Sequence, residues 1–341
     1  MANEVFSPRD FKAYVIEEDT PGTTPTFNAN TALLHQLDVD SVAFPSLSPN
    51  QVTAVRSRGG RVLHADDFFQ DNEIRAIEVS LSGTFRADKG IHMLMQSVTG
   101  MDLNETSIGN IIMPTTPTGQ SGAYGDTTSD GDNKTFSLIL APPDYTGGFN
   151  VIMKGCLCTS FSINADMTAD GGLYKFEATI SSGQNPETNN TDIPDITAGS
   201  GIGNAGSLIT LTTLASSQIF AVASPVISSF GFTVESPAIY TGFSSSGYHS
   251  YARGSEFTVS ANATVKYDSA TKGLYNSLNT QTEDTASNAF VLTQSPSTDC
   301  SISLPAGFLT DVTFNEGDAM MLDVAIQGVN VGNNIYTITL A

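Results

Sequence analysis

Between residues 77 and 85 the apolar side chains Ile77, Val79, Leu81 and Phe85 alternate with Glu78, Ser80, Ser82 and Thr84. Between 256 and 267, Phe257, Val259, Ala261, Ala263, Val265 and Tyr267 alternate with Glu256, Thr258, Ser260, Asn262, Thr264 and Lys266. A period of two predicts a strand with one buried face. In both places the alternation gives way to a segment that reads as a short helix. Asp88 and Asp268 stand at the expected N-cap, and Gly100 stands where the first helix stops. Residues 75–98 align without a gap on 255–278 at an offset of 180, with six identities in 24 positions.

A hairpin recurs as well. Residues 151–163 and 173–180 read as strands joined at Asp170-Gly171-Gly172, and at an offset of 146 residues 163–183 match 309–329. Phe176, Ala178 and Ile180 then correspond to Leu322, Val324 and Ile326 on the apolar face, and Glu177 to Asp323 on the polar one. Upstream, residues 10–18 form a short alternating strand, and 33–44 (LLHQLDVDSVAF) a second strand with an acidic face carrying Asp38 and Asp40. In the second half, 219–222 and 226–234 are the comparable strands.

The pattern predicts a mainly β chain made of two tandem units, 1–183 and 216–341, joined by a polar, Pro/Gly-rich linker at 184–215. Two stretches interrupt the first unit. Residues 45–74 form a long arm with a basic cluster (Arg56, Arg58, Arg61) and an acidic one (Asp66, Asp67, Asp71, Glu73); 101–150 is an excursion containing one strand at 136–140. Connections this long between strands are uncommon without a function. The arm of the second unit, 235–255, is shorter and aromatic.

Composition narrows the function. Thirty-five acidic groups face 14 basic ones, for a formal charge of −21, which excludes a protein that grips nucleic-acid phosphates through many Lys and Arg contacts. No apolar run approaches the ~20 residues of a membrane span, and the first residues lack a signal-peptide pattern, so a soluble, initially cytoplasmic chain is expected. Cys156, Cys158 and Cys300 lack zinc-site or disulfide-framework spacing and are read as reduced thiols.

Chemical motifs are sparse. Gly201-Ile202-Gly203-Asn204-Ala205-Gly206 has the GxGxxG form but follows a polar linker instead of a strand, so it is read as linker and not as a nucleotide site. Asp126, Thr128, Asp130 and Gly131 resemble the start of a calcium loop, but Ser137 occupies the position of the bidentate Glu. His35, His64, His92 and His249 share no ligand spacing and are read as surface or interface residues. No catalytic constellation and no cofactor site is nominated; no enzyme is expected.

The repeated order of strand, arm, strand, helix and hairpin resembles the major tail tube proteins of tailed bacteriophages. The resemblance implies β-sandwich or split-barrel units, each with one short helix, and a virion structural protein whose rings stack into a tube for genomic DNA. Two units per chain resemble the duplicated type that closes trimeric rings, and an acidic bore lets DNA slide. Expected channel-lining residues are Asp38, Asp40, Glu78, Glu177 and Asp323; expected ring-stacking residues in the arm are Arg56, Arg58, Arg61, Asp66 and Asp67. The implied partners are further copies of the chain, other tail proteins and transiently passing DNA, with no cofactor, no metal and no membrane insertion. The competing reading is a β-sandwich fibre, decoration or carbohydrate-binding protein, which the Ser/Thr/Asn/Gly richness and the aromatic loop 240–251 would also suit.

Overall fold

A computed structural model describes residues 7–18, 22–23, 34–46, 50–53, 68–71, 76–100, 110–112, 121–123, 135–142, 150–189, 208–220, 222–244, 247–253, 257–280, 288–294, 300–317, 319–330 and 335–340. The fold is mainly β, with several antiparallel sheets and, among the described residues, two α-helices. The first half runs β1 (Lys12–Glu17), β2 (His35–Leu37), β3 (Val39–Val42), β4 (Asn50–Thr53), β5 (Phe68–Asp71), β6 (Ile77–Thr84), α1 (Lys89–Thr99), β7 (Asn110–Ile112), β8 (Ser121–Ala123), β9 (Phe136–Ala141), β10 (Asn150–Asp166), β11 (Lys175–Ser182) and β12 (Glu187–Asn189). The second runs β13 (Leu214–Ile219), β14 (Val222–Ala223), β15 (Ile227–Glu235), β16 (Ala238–Ser244), β17 (Gly247–Arg253), β18 (Thr258–Lys266), α2 (Lys272–Thr280), β19 (Phe290–Gln294), β20 (Cys300–Leu304), β21 (Gly307–Glu316), β22 (Met320–Gly328) and β23 (Thr337–Leu340).

The central sheet reads β3-β6-β11-β10-β15-β18-β22-β21, antiparallel throughout. Its first four strands and its last four have the same pairing order, and their irregularities coincide. The β3–β6 ladder shifts register between Val39 and Ser41, and β15–β18 between Ile227 and Ser229. The β10–β11 ladder shifts between Cys158 and Ser160, and β21–β22 between Leu309 and Asp311. The Phe85 N–H donates to the Tyr174 carbonyl at 2.9 Å, and the Tyr267 N–H to that of Met320 at 3.1 Å.

These matches correct the sequence register. Ile180 faces Val79, whereas Ile326 faces Ala261, so the strands correspond at a spacing of 182. The helices begin at Lys89 and Lys272, a spacing of 183. The 180 alignment slipped by two on the strand, which leaves inward and outward residues unchanged. It slipped by three at the helix, because a turn precedes α2: Asp268 accepts the N–H groups of Ala270 and Thr271 before the helix starts.

Two further strand readings change. The stretch 33–44 is two strands, β2 on β1 and β3 on β6, broken at Asp38. The strand expected at 219–222 is β13, ending at Ile219; Phe220 adopts φ 50°, and Val222–Ala223 folds back onto β13.

Strand β10 runs through two ladders. Its first residues pair with β9 and β12, its last with β11 and β15, and between them Gly155 takes φ 60°. A positive φ is where glycine is favoured. The bend is held by Glu18, a fully buried carboxyl that accepts from the Gly155 N–H (2.9 Å), Ser137 Oγ (2.6 Å), Thr135 Oγ1 (2.5 Å) and the Gly22 N–H (2.6 Å). Burial raises its pKa, and these four donors oppose the rise.

Helix α1 starts and stops where expected. Asp88 caps it through the Ile91 N–H at 2.8 Å, and Gly100 closes it in the left-handed region at φ 70°. Burial raises the Asp88 carboxyl from 3.8 to about 6, while the Ile91 N–H and Arg86 lower it and Asp38 raises it. Its folded pKa lies above the unfolded one, so the stability it contributes is complete below about 3.8 and lost as pH rises through about 6. Asp88→Asn keeps an N-cap acceptor without the ionisation. In urea unfolding the variant is expected to match the parent at pH 4 and exceed it by roughly 1–2 kcal/mol at pH 8. A difference that does not change with pH would refute this account.

His35 and His92, read from sequence as surface or interface residues, are buried instead, and burial pushes both imidazoles down to about 4. The three cysteines are free and buried. The 101–150 excursion holds more than its expected strand: β7 pairs with β23, and β8 pairs with β17, both in the second half. One continuous hydrophobic core draws on both halves, from Val15 and Phe85 to Phe290 and Ile338.

Candidate functional site

One face of the central sheet carries the core and the other is polar. Residues directly opposite one another on neighbouring strands share a face, so the register traces the polar rows. One runs Ser82, Glu177, Ser162, Thr233, Ser260, Gln327 across six strands. Another runs Asp166, Ser229, Thr264, Asp323, Thr313. Short hydroxyl and amide side chains make up most of this face. Glu78, Asp166, Glu177, Glu235, Asp311 and Asp323 outnumber Lys175 and Lys266 on it.

Three of the expected channel residues therefore lie on one surface: Glu78 and Glu177 are exposed, and Asp323 is half-buried. Asp323 accepts from Thr264 Oγ1 at 2.6 Å and from Asn315 Nδ2 at 3.1 Å, beside an open groove of about 330 Å³ that Asp311 also lines. The Asp166 carboxyl is held below its ordinary value by the hydroxyl and N–H of Thr168, so it is ionised at neutral pH. Asp38 and Asp40 sit at the β3 edge and are neutralised there. Asp38 meets Arg86 at 2.7 Å and Asp40 meets Lys175 at 2.6 Å. The expected stacking residues Arg56, Arg58, Arg61, Asp66 and Asp67 lie outside the described residues, as do the GxGxxG stretch and the Asp126–Gly131 loop.

Along the eight-strand path the two end strands have one neighbour each among the described residues, β3 on β6 and β21 on β22; β2 and β12 end the branches that leave β10. The ten-residue β21 is mostly exposed, with only Gly307 and Val312 buried. A long edge strand is a ready template for pairing with another chain. No family model and no curated protein matches this sequence. Among the described residues no group of three or more His, Cys, Asp or Glu side chains could hold a metal ion, and no helix is long and apolar enough to cross a membrane.

Sequence reasoning found the polar face through its alternation but missed the edges. Phe44, Tyr267, Tyr275, Phe314 and Met320 are large apolar side chains left exposed near them. The ungapped hairpin match set Ile163 against Leu309, whereas the ladders set the buried Ile163 against the exposed Phe314, because the connection from β21 to β22 is shorter than that from β10 to β11.

Proposed function

We propose that the chain is a self-assembling structural protein of the tail-tube kind, a tandem duplication whose copies join head to tail into rings that stack around a channel for genomic DNA. One observation carries this reading: β10, the last strand of the first set of four, pairs with β15, the first strand of the second set, so the chain already contains one unit-to-unit junction. Repeating that junction between chains joins β21 of one copy to β3 of the next. A heterologous contact of this kind closes a ring when its rotation allows.

Three copies of an eight-strand sheet make a wall of about 24 strands. At ~4.8 Å between strands and a tilt near 40°, that wall is roughly 40–50 Å across at the backbone, wider than a DNA duplex. Its core face must turn outward, because the core side is already packed with the remaining strands, so the bore receives the polar face. There the carboxylates Glu78, Asp166, Glu177 and Asp323 repel phosphate and the hydroxyl rows offer no cationic grip. In this reading the protein resides in the virion tail, its partners are its own copies and other tail proteins, and it performs no catalysis.

Negative-stain electron microscopy of the purified chain is expected to show rings or tubes with threefold or pseudo-sixfold symmetry. Discrete monomeric particles at every concentration would favour the fibre or decoration reading instead.

A further inference from the structure

At the β21 edge four large side chains cluster on the surface. Tyr267 and Tyr275 pack on Phe314, with ring centroids 5.3 and 5.0 Å away. Beside them Met320 is 48% exposed, and the three rings are 37%, 41% and 38% exposed respectively. By the strand and helix correspondences above, their counterparts in the first half are Phe85, His92, Ile163 and Tyr174, and every one of these is buried. Second-half residues cover two of the four, Tyr174 and Ile163. Phe230 meets Tyr174 edge-on at 4.9 Å, Gln294 Nε2 donates to the Tyr174 hydroxyl, and Phe232 lies opposite Ile163. The same kind of surface is therefore closed once within the chain and left open once at its end.

The covering strand also has a counterpart. With the register shifts at Val39/Ser41 and Ile227/Ser229 superposed, Val42 corresponds to Phe230 and Phe44 to Phe232. Phe44 is 37% exposed and stands against Phe11, edge-on at 4.9 Å. We infer that the aromatic cluster of β21 and α2 is a socket for the β3 edge of a second copy, in the register of the β10–β15 junction, with Phe44 opposite Phe314. This deepens the tube reading by naming the contacting side chains and the register, and it rests on that reading.

Backbone polarity agrees. The Ala43 N–H is directed to Ser80 of β6, at 3.4 Å. Alternation along a strand then turns the Phe44 N–H and carbonyl outward, and turns Pro45, which has no N–H, inward. The missing donor therefore does not fall on the docking edge. Asn164 opposite Gly231 becomes Asn315 opposite Ala43 between copies, a non-hydrogen-bonded pair whose close Cα approach suits a disulfide.

The test is an Asn315→Cys/Ala43→Cys double variant of the full chain, oxidised and run on non-reducing gels beside electron micrographs of the same sample. The native cysteines are buried. Covalent dimers and trimers in this variant, absent from Glu316→Cys/Ala43→Cys, whose side chains fall on opposite faces and which leaves the socket intact, support the register. Rings without cross-links overturn the register alone. Monomers without cross-links overturn both this inference and the tube reading. As a second variant, Phe44→Asp changes a side chain already exposed in the isolated chain. It is expected to lower the thermal midpoint by no more than the loss of the Phe11 contact, which Phe11→Ala measures separately, and to weaken assembly at least a hundredfold in sedimentation; unchanged assembly overturns the socket.

Discussion

Gly83→Ala is expected to detach strand β3 from the sheet and, in the proposed tube, to abolish assembly with it. A Cβ at Gly83 would lie 2.0 Å from the Asp38 carbonyl oxygen and 2.7 Å from the Val39 Cα, both backbone atoms that cannot rotate away. Relief requires the chain at Asp38 to move. That move breaks the bond from the Thr84 N–H to the Asp38 carbonyl at 2.9 Å and pulls the Asp38 carboxylate off Arg86. The expected loss is about 3 kcal/mol, from overpacking plus lost hydrogen bonds, or roughly 4 °C in the thermal midpoint of a chain of this length. The counterpart position in the second half is Val265, buried opposite Ile227. Glycine is therefore required by the sharp passage from β2 to β3, not by the sheet position itself. Calorimetry and sedimentation decide it: a variant within a degree of the parent that still forms rings would show that β3 can shift at little cost.

Arg253→Ala is the second large effect. The guanidinium is buried, and its Nη1 donates to the Cys158 and Ser236 carbonyls, both at 2.9 Å, while Nη2 donates to the Ser97 carbonyl in the last turn of α1. One cation from the second-half arm thus ties together β10, the end of β15 and the negative end of the α1 dipole. Truncation leaves three buried carbonyls with one fewer donor each. The expected cost is about 3–5 kcal/mol. Lysine cannot span the same acceptors with one ammonium group and is expected to restore less than half. Amide exchange in the paired strands β16 and β17 should accelerate in Arg253→Ala; unchanged protection there would mean that the arm is anchored by other contacts.

Much of the scaffold was legible because it is periodic. The β6 and β18 alternations, the hairpin turn at Asp170-Gly171-Gly172 and the α1 caps Asp88 and Gly100 each have a local physical cause. The register of the repeat was not legible, because a period-two pattern is blind to a slip of two. The extra turn before Lys272 leaves no mark on that period. Strands β7 and β8 have three residues each and too little pattern to detect. At the site, alternation placed Glu78, Glu177 and Asp323 on the polar face. It could not show that Asp38 and Asp40 are matched by Arg86 and Lys175, 48 and 135 positions away in the chain. Nor could it separate a Phe that fills a core from one left exposed, since Phe232 is buried beside β10 and Phe44, just past the end of β3, is not.

The pairing of β7 with β23 bears on the order of events in folding. Ile111 finds its ladder partner at Ile338, about 230 positions further along the chain. Contacts this distant in sequence are slow to form. The sheet β14-β13-β19-β20-β23-β7 therefore gains its outermost strand from the first half, after the local hairpins that need no such closure have formed.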